Sequence, residues 1–318
     1  MSPHSIDAVT FGQIGGGSGR CARDILDFIK KEAPKVYQTM QYRIVEISKA
    51  LAEKQTARVE SGSTHASRFE VRNHDASRRE GWGPAKKHPC FIIMLEVADN
   101  LPHDRVCISG DDLSHWKETH VVQGIDLDGN DVVKEELQPL QDPLILRCME
   151  ALGYHADTRT SWMSKQLNRA MGTTSFQFVP TRCLAVLETL HLARPNHKLV
   201  LADFDYLPDV VIPGHMAPLV ASVSEGSTKD HGTYLLPRGT ADIFYPTDFE
   251  ALQKLNAKAA QQQVAFGKST EKIPKRGSSQ VLTTKEFMLT YGELGGTQTL
   301  GGFNPLLDDF TNTKFFLS

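Results

Sequence analysis

The chain has 318 residues, a formal net charge of -3 and a pI near 6.5. Forty percent hydrophobic and 23% charged residues are typical of a folded globular protein, and the length allows one large α/β domain or two smaller ones. The charge provides no basic field for a phosphate backbone, so we do not expect nucleic-acid binding. The five cysteines form no C-x-x-C pair, and no run of 18 apolar residues occurs, so we expect neither a disulfide framework nor insertion into a membrane.

Strand-like and helix-like segments alternate over the first 110 residues. Strands are predicted at 7–14, 42–47, 67–75 and from residue 90 onward. A helix with apolar residues at helical spacing follows the first strand and ends before Pro34. Ser48 is positioned to cap a second helix after the second strand. This βαβ alternation predicts a parallel sheet.

The alternation stops between residues 111 and 197. Two strand-like runs flank Asp128 and Gly129, a hairpin signal, and helical stretches follow near 143–153 and 181–193. Strands then resume at 198–205 and 240–249, and two late edge strands are predicted at 279–287 and 313–318. The sequence predicts one α/β domain over residues 1–318, a doubly wound and mainly parallel sheet with an inserted hairpin-plus-helices segment at 111–197.

The stretch "FGQIGGGSGR" places a glycine-rich loop directly after the first strand. Glycines let the backbone approach a ligand and direct amide groups toward it, beside the positive end of the next helix. A dinucleotide site would need a third glycine where Arg20 stands, so the pattern is G-x-G-x-G at Gly15, Gly17 and Gly19. Such a loop is typical of S-adenosylmethionine sites, while a plain tight turn remains open.

Two acids follow the next strands. Glu46 ends the second strand at the same edge of the sheet as the glycine loop, where its carboxylate is positioned to accept both hydrogen bonds of a ribose diol. An acid here serves NAD and S-adenosylmethionine alike. Asp75, after the third strand, is a candidate for the adenine rim, and a surface loop is an equal alternative.

A cluster of polar residues follows the fourth strand, in "MLEVADNLPHD". If the acceptor of a methyl group is a guanidinium, carboxylates at this edge are able to hold its protonated form through two hydrogen bonds and so leave one of its nitrogens a better nucleophile. Glu96 is the first candidate for this catalytic role and Asp99 the second; the alternative is that both only cap the next helix. The twelve histidines lack metal-ligand spacing, so no metal site is predicted.

Several segments together resemble a known family. "FGQIGGGSGR", "YRIVEISKALAEKQ", "LEVADNLPHDRV", "LADFDYLP", "TADIFYPTDF" and the terminal "KFFL" follow the order seen in the MidA-type methyltransferases, also called NADH dehydrogenase complex I assembly factor seven. The likeness covers nearly the whole chain and is strongest to the fungal-type branch.

This resemblance implies a Rossmann-like (class I) methyltransferase of the mitochondrial matrix with S-adenosyl-L-methionine as its cofactor. Its expected activity is symmetric dimethylation of an arginine in a complex I core subunit, which supports assembly of that complex. The glycines and Glu46 match the family's cofactor residues, and Glu96 and Asp99 match its acid pair. The family's loop usually begins with an acid where this chain has Gln13, and bacterial-type members carry Asn where it has Leu95. The family's helical region before the first strand is expected to be absent.

Two other functions stay open. A methyltransferase-like fold retained as an assembly or binding protein is the runner-up, because Gln13 replaces the usual acid of the cofactor loop. An NAD-dependent oxidoreductase comes third, and Arg20 disfavours it.

Overall fold

The computed structural model describes residues 9–61, 65–108, 116–125, 131–154, 175–224, 226–266 and 279–318. The chain divides into two compact units. The first contains residues 1–98, 185–203 and 256–318, and the second contains residues 99–184 and 204–255. The prediction of one domain with an insertion at 111–197 stays a prediction.

The described part of the chain forms the following strands: β1 Thr10–Ile14, β2 Gln41–Glu46, β3 Phe69–Asn73, β4 Cys90–Leu95, β5 Asp104–Ile108, β6 Lys117–Ile125, β7 Asp131–Pro139, β8 Ser175–Val179, β9 His197–Phe204, β10 Leu219–Ser224, β11 Ser227–Asp230, β12 Asp242–Phe244, β13 Gln280–Thr283 and β14 Thr313–Leu317. Its α-helices are α1 Arg20–Glu32, α2 Pro34–Thr39, α3 Lys49–Glu60, α4 Pro143–Leu152, α5 Thr181–Ala193, α6 Phe249–Phe266, α7 Thr284–Tyr291 and α8 Pro305–Asp308.

The first unit is built on a seven-stranded sheet with the order β13-β14-β9-β4-β1-β2-β3. Its five strands from β9 to β3 run parallel, and β13 pairs antiparallel with β14 at one end. The mainly parallel α/β sheet predicted from the sequence is therefore confirmed. Both late strands belong to it, but only β13 lies at its edge, and the strand predicted at 279–287 ends at Thr283, where α7 follows. β1 lies between β2 and β4. The segment after β1 therefore lies at the centre of the edge formed by the carboxyl ends of the parallel strands.

Local sequence signals explain the helices near that edge. Helix α1 begins after Gly19, whose φ of 78° is a left-handed value that favours glycine. Ser48 caps α3 as predicted, since its side chain accepts a hydrogen bond from the backbone N–H of Leu51. The sequence predicts only that Pro34 follows the end of α1. In the structure Pro34 also occupies the first turn of α2, where its missing N–H costs no hydrogen bond.

The core on one side of this sheet joins the two helices to β2. Ala22 and Leu26 of α1 pack with Tyr42 and Ile44 of β2 and with Val59 of α3, and all five are fully buried. Burial of each of the larger side chains in this group stabilises the fold by roughly 1.5–3 kcal/mol. The packing fixes both helices against the strands whose ends carry the glycine loop and Glu46.

The second unit contains two antiparallel sheets, with the orders β7-β6-β5-β8 and β11-β10-β12. The predicted hairpin is confirmed, because β6 and β7 pair antiparallel along their whole length; its turn at Asp128 and Gly129 lies outside the described residues. The strand predicted at 240–249 is shorter and differently placed. It is β12, which pairs with β10 rather than joining the large sheet, and Pro246 follows it closely.

The sequence prediction missed β5 and β8, which pair with each other in the second unit. The core of this unit contains Phe178, Ile212, Val220 and Tyr245. β5 follows the polar loop after β4 so closely that its five residues read as part of that loop in the sequence.

Candidate functional site

The glycine loop, Glu46 and Glu96 follow three neighbouring parallel strands of the first unit. Ile14 at the end of β1 is in register with Val45 of β2 and with Met94 of β4. The backbone N–H of Gly15 donates to the Val45 carbonyl oxygen at 3.0 Å, so the loop starts beside the end of β2. The structure brings these predicted site residues to one edge of the sheet.

Three of the loop glycines have left-handed backbone angles, with φ of 63° at Gly15, 50° at Gly17 and 78° at Gly19. A Cβ at Gly15 would lie 2.7 Å from a methyl group of Val97, so a side chain there would collide with the segment after β4. A Cβ at Gly17 would meet no atom within 4 Å. The loop is thus packed against the protein at Gly15 and open at Gly17, which suits the approach of a ligand to the bare backbone.

The Glu46 carboxylate is buried, with 4% of the residue exposed, and is held by three N–H donors. Oε2 accepts from the backbone N–H of Gly16 at 3.2 Å and from Nε2 of Gln55 at 2.8 Å, and Oε1 accepts from the backbone N–H of Ser48 at 2.9 Å. Since each carboxylate oxygen has about two acceptor positions, one remains on Oε1. That position is an acceptor for one ribose hydroxyl, where the sequence led us to expect hydrogen bonds to two.

Gln13 lies under the loop rather than in it. Its amide oxygen accepts from the Tyr42 hydroxyl at 2.8 Å, and its Nε2 donates to the Gly15 carbonyl oxygen at 3.3 Å. Burial, with a smaller contribution from the nearby Cys21, raises the pKa of the Tyr42 phenol, which keeps it a donor. Gln13 is 3% exposed, so its amide joins β2 to the loop from inside the protein.

Asp75 organises its own turn. Its Oδ1 accepts from the Ser77 backbone N–H at 2.8 Å and from the Ser77 hydroxyl at 2.7 Å. Such an Asx turn accounts for an acid at this place without a ligand. A contact of Asp75 with adenine stays a prediction.

Glu96 has an unusual backbone. It is a non-glycine residue with φ of 51°, it is exposed, and it follows β4 directly. Its N–H donates to the Ala202 carbonyl oxygen of β9 at 2.9 Å, which ties the strained residue to the sheet. Left-handed backbone at a residue other than glycine costs about 1–3 kcal/mol and concentrates at functional sites. The strain holds the Glu96 carboxylate outside the sheet edge.

Asp203 is a residue of this edge that the sequence analysis missed. Its carboxylate is fully buried, and Oδ2 accepts from the backbone N–H groups of Ala98 at 2.7 Å and Val97 at 3.2 Å. It thereby fixes the segment that follows Glu96. The available signal was an acid near the end of a buried strand, in "LADFD", at the same carboxyl edge.

Asp99 begins the second unit and is buried, with 2% exposed. Its Oδ1 accepts from the Asn100 side chain at 2.6 Å, and its carbonyl oxygen accepts from the Tyr245 N–H at 2.7 Å. His103 of the same unit stacks on the Tyr245 ring with centroids 4.0 Å apart. Burial lowers the pKa of His103 to about 4, so this imidazole is neutral near pH 7.

The described residues suit an adenosine ligand. The loop offers open backbone at Gly17, and Glu46 places a carboxylate beside it that suits a ribose hydroxyl. Arg20 stands where a dinucleotide site would need a third glycine, which favours S-adenosylmethionine over NAD. Within the described ranges, no group of three or more His, Cys, Asp or Glu residues is arranged to hold a metal ion. A search of the same residues finds no helix with the length and apolar character needed to cross a membrane.

Comparisons with known proteins agree with this geometry. The sequence profile of the Methyltransf_28 family, described as "Putative S-adenosyl-L-methionine-dependent methyltransferase", matches residues 3–267. A structure of a COG1565 superfamily protein from Burkholderia thailandensis, bound to S-adenosyl-homocysteine, aligns with a TM-score of 0.57 at 14% identity, over 98% of this chain and 71% of that one. A native structure of a COG1565 superfamily protein from the same organism aligns with a TM-score of 0.56 at 14% identity, over 98% and 73%. No curated protein matches the chain in sequence.

Proposed function

We propose, from the premise that this chain belongs to the Methyltransf_28 family of S-adenosyl-L-methionine-dependent methyltransferases, that it methylates an arginine side chain of a protein. The cofactor follows from the family. The arginine acceptor is our inference from the resemblance to the MidA-type enzymes and from the acids at the end of β4. The observation that carries the proposal is the exposed side chain of Glu96, which follows β4 at the edge of the sheet where the glycine loop and Glu46 also lie.

In this proposal Gly15, Gly17 and Gly19 hold the cofactor through the bare backbone, and Glu46 holds the ribose through the remaining acceptor position on Oε1. S-adenosylmethionine supplies a methyl group on a sulfonium sulfur when it is bound. The protein's task is then to align a nucleophile with that carbon and to exclude water.

Glu96 is the proposed catalytic residue. Its exposed carboxylate is suited to accept two hydrogen bonds from a guanidinium, which fixes two of the three nitrogens and orients the substrate. As the new N–C bond forms and the S–C bond breaks, one proton must leave the attacking nitrogen. Because the Glu96 carboxylate holds the other two nitrogens, that proton is released to solvent, and S-adenosylhomocysteine leaves as the neutral thioether. Asp99 is the second candidate, and its burial favours a positioning role.

We further propose the biological setting that the resemblance implies, namely the mitochondrial matrix and an arginine of a complex I core subunit as the substrate. The second candidate function is a methyltransferase-like assembly protein with weakened catalysis. The neutral amide of Gln13 favours it, because the loop then lacks the acid with which the MidA-type loops usually begin.

The test combines calorimetry with S-adenosylhomocysteine and transfer of a labelled methyl group to mitochondrial proteins, with amino-acid analysis of the product. We expect binding, label in dimethylarginine, and loss of transfer with retained binding in Glu96→Gln. Label in another residue type, or normal transfer by Glu96→Gln, would contradict the arginine assignment. Binding by the unaltered protein without transfer to any protein would support the second candidate.

A further inference from the structure

Gln55 is a fully buried amide in the middle of α3. It belongs neither to the glycine loop nor to the strand ends, and its position in "KALAEKQ" gives it no role by pattern. Burying an amide is costly unless its hydrogen-bonding groups are satisfied. Its contacts therefore indicate what this side chain is for.

Both hydrogens of the Gln55 amide are used, and they go to different parts of the candidate cofactor site. Nε2 donates to the Gly17 carbonyl oxygen at 3.1 Å and to Oε2 of Glu46 at 2.8 Å. The opposite orientation of the amide would place its oxygen against two acceptors, so the orientation is fixed by chemistry. One nitrogen thus connects the glycine loop to the acid at the end of β2.

The amide oxygen of Gln55 is left over. Oε1 is buried and has no hydrogen-bond partner among the described residues. A buried polar atom without a partner costs about 1–3 kcal/mol. The side chain therefore serves the loop and Glu46 through both of its N–H groups, while its own oxygen has no partner among the described residues.

Gln55 also explains why the loop has more glycines than the G-x-G-x-G pattern requires. A Cβ at Gly16, which lies outside that pattern, would lie 2.8 Å from Cδ of Gln55 and also 2.8 Å from Cδ1 of Ile44. At Gly19, a glycine of the pattern, a Cβ would lie 3.0 Å from Cα of Gln55. Gly16 is thus required by the packing of Gln55 and Ile44, in the same loop whose Gly17 remains open to a ligand.

We propose that Gln55 is the positioning residue of the cofactor site, holding the Gly17 carbonyl and the Glu46 carboxylate in the relation that S-adenosylmethionine needs. The inference rests on the proposed assignment of the loop and Glu46 to the cofactor. Because one nitrogen serves both, the loop and the acid bind ligand as one unit, and loss of that nitrogen weakens binding even when both remain present.

The experiment measures S-adenosylhomocysteine binding by calorimetry from pH 5.5 to 8, together with thermal unfolding without ligand. Gln55→Leu removes the donors at similar size, and Gln55→Glu replaces them with a group that donates only when protonated. Val59→Ala, a buried change on the same helix, is the control for general loosening of α3. We expect Gln55→Leu to bind at least about tenfold more weakly at every pH, which corresponds to about 1.4 kcal/mol.

Gln55→Glu should bind weakly at pH 8 and recover in part at pH 5.5, because its carboxyl must be protonated to donate to the Glu46 carboxylate and then has one donor where the Gln55 amide has two. A merely structural role would change the unfolding temperature and the affinity together, whereas the proposed role weakens binding at pH 8 also at temperatures where the variant is fully folded. Unchanged affinity in Gln55→Leu, or an equal loss in Val59→Ala at equal loss of stability, overturns the role of Gln55 alone. Absence of binding by the unaltered protein overturns the proposed cofactor site, and this inference with it.

Discussion

The Tyr42 hydroxyl donates a 2.8 Å hydrogen bond to the Gln13 amide oxygen in the interior of the first unit. The same amide donates through Nε2 to the Gly15 carbonyl oxygen. Gln13 is thus an acceptor on one side and a donor on the other, a combination that an ionised acid cannot supply. The residue that looked anomalous in the sequence has a defined partner for each end of its side chain.

We predict that Gln13→Glu destabilises the protein at neutral pH and does not strengthen cofactor binding. An ionised carboxylate would be buried with one oxygen facing the Gly15 carbonyl, and we expect a loss of about 1–3 kcal/mol in the free energy of unfolding at pH 8. The introduced carboxyl would have a raised pKa in the folded state, so the loss should diminish as the pH falls toward 5. Urea unfolding at the two pH values measures this.

Gln13→Met is the matched control, since it keeps the size and cannot titrate. Its destabilisation should be the same at both pH values. A gain of tenfold or more in S-adenosylhomocysteine affinity for Gln13→Glu would contradict the structural role. It would instead show that the replacement of the acid by Gln13 has weakened cofactor binding by this loop.

The sequence predicted the parts of the site that follow strands. The glycine loop, Glu46 and Glu96 could be placed together because parallel strands end at a common edge, and the alternation of strand-like and helix-like segments predicted a parallel sheet. The left-handed backbone of Glu96 could not be predicted, because glutamate has no preference for it and the angle is imposed by the Glu96–Ala202 hydrogen bond and the packing after β4.

That strain leads to a second prediction, a change that raises stability and lowers activity together. Glu96→Gly should increase the free energy of unfolding by about 0.5–1 kcal/mol, because release of the strained backbone outweighs the entropy of glycine. Methyl transfer should fall by at least about a hundredfold, while S-adenosylhomocysteine binding is retained. Thermal unfolding and a transfer assay on the same preparation measure both.

Glu96→Ala separates the two effects. It removes the same carboxylate and keeps the left-handed strain, so its activity should match Glu96→Gly and its stability should not rise. Equal melting temperatures for the two variants would show that the backbone at residue 96 is not strained.

Gln55 and Asp203 were missed for a different reason. Both are polar residues in elements whose pattern suggests only packing, and their partners lie far away in sequence, at Gly17 for Gln55 and at Val97 and Ala98 for Asp203. Hydrogen bonds from a side chain to a distant backbone group produce no periodic pattern of residue types in the sequence. They appear only when the loop conformation is known.

A third prediction concerns Asp203. Asp203→Asn keeps one oxygen for the N–H groups of Val97 and Ala98 but removes the charge that strengthens both bonds. We expect a loss of about 1–3 kcal/mol in stability and a fall in kcat for methyl transfer that exceeds any change in the KM for S-adenosylmethionine. The split arises because Asp203 bonds directly to the segment after Glu96 and acts on the glycine loop indirectly, through the packing of Val97 against Gly15.

Asp242→Asn removes the same charge from an exposed strand position and should change stability by less than about 0.5 kcal/mol. If Asp203→Asn raised the KM for the cofactor and left kcat unchanged, Asp203 would belong to cofactor binding and not to the positioning of Glu96.

The fourth prediction is a pH dependence of stability that arises at His103. Burial lowers the pKa of His103 to about 4 in the folded protein, against 6.5 for a histidine that is not buried. The unfolded chain therefore binds a proton at His103 more tightly than the folded protein does. Between about pH 6.5 and 4 the unfolded state therefore binds a proton at His103 that the folded state does not bind. The free energy of unfolding falls as the pH falls through this range, by up to about 3 kcal/mol. Burial also raises the pKa of the adjacent Asp104, an effect of opposite sign.

A difference measurement isolates the histidine from such neighbours. His103→Phe keeps an aromatic ring against Tyr245 and cannot titrate, so its stability relative to the unaltered protein should improve steadily from pH 7 to pH 4.5 in urea unfolding. The variant should start below the unaltered protein at pH 7, because the hydrogen bond from Nδ1 to the Leu101 carbonyl oxygen is lost. His88→Phe, at an exposed position, is the matched control for the exchange of histidine for phenylalanine itself. Parallel pH curves for His103→Phe and the unaltered protein would mean that His103 takes up a proton as readily when folded as when unfolded, and that its place against Tyr245 does not exclude the charged imidazole.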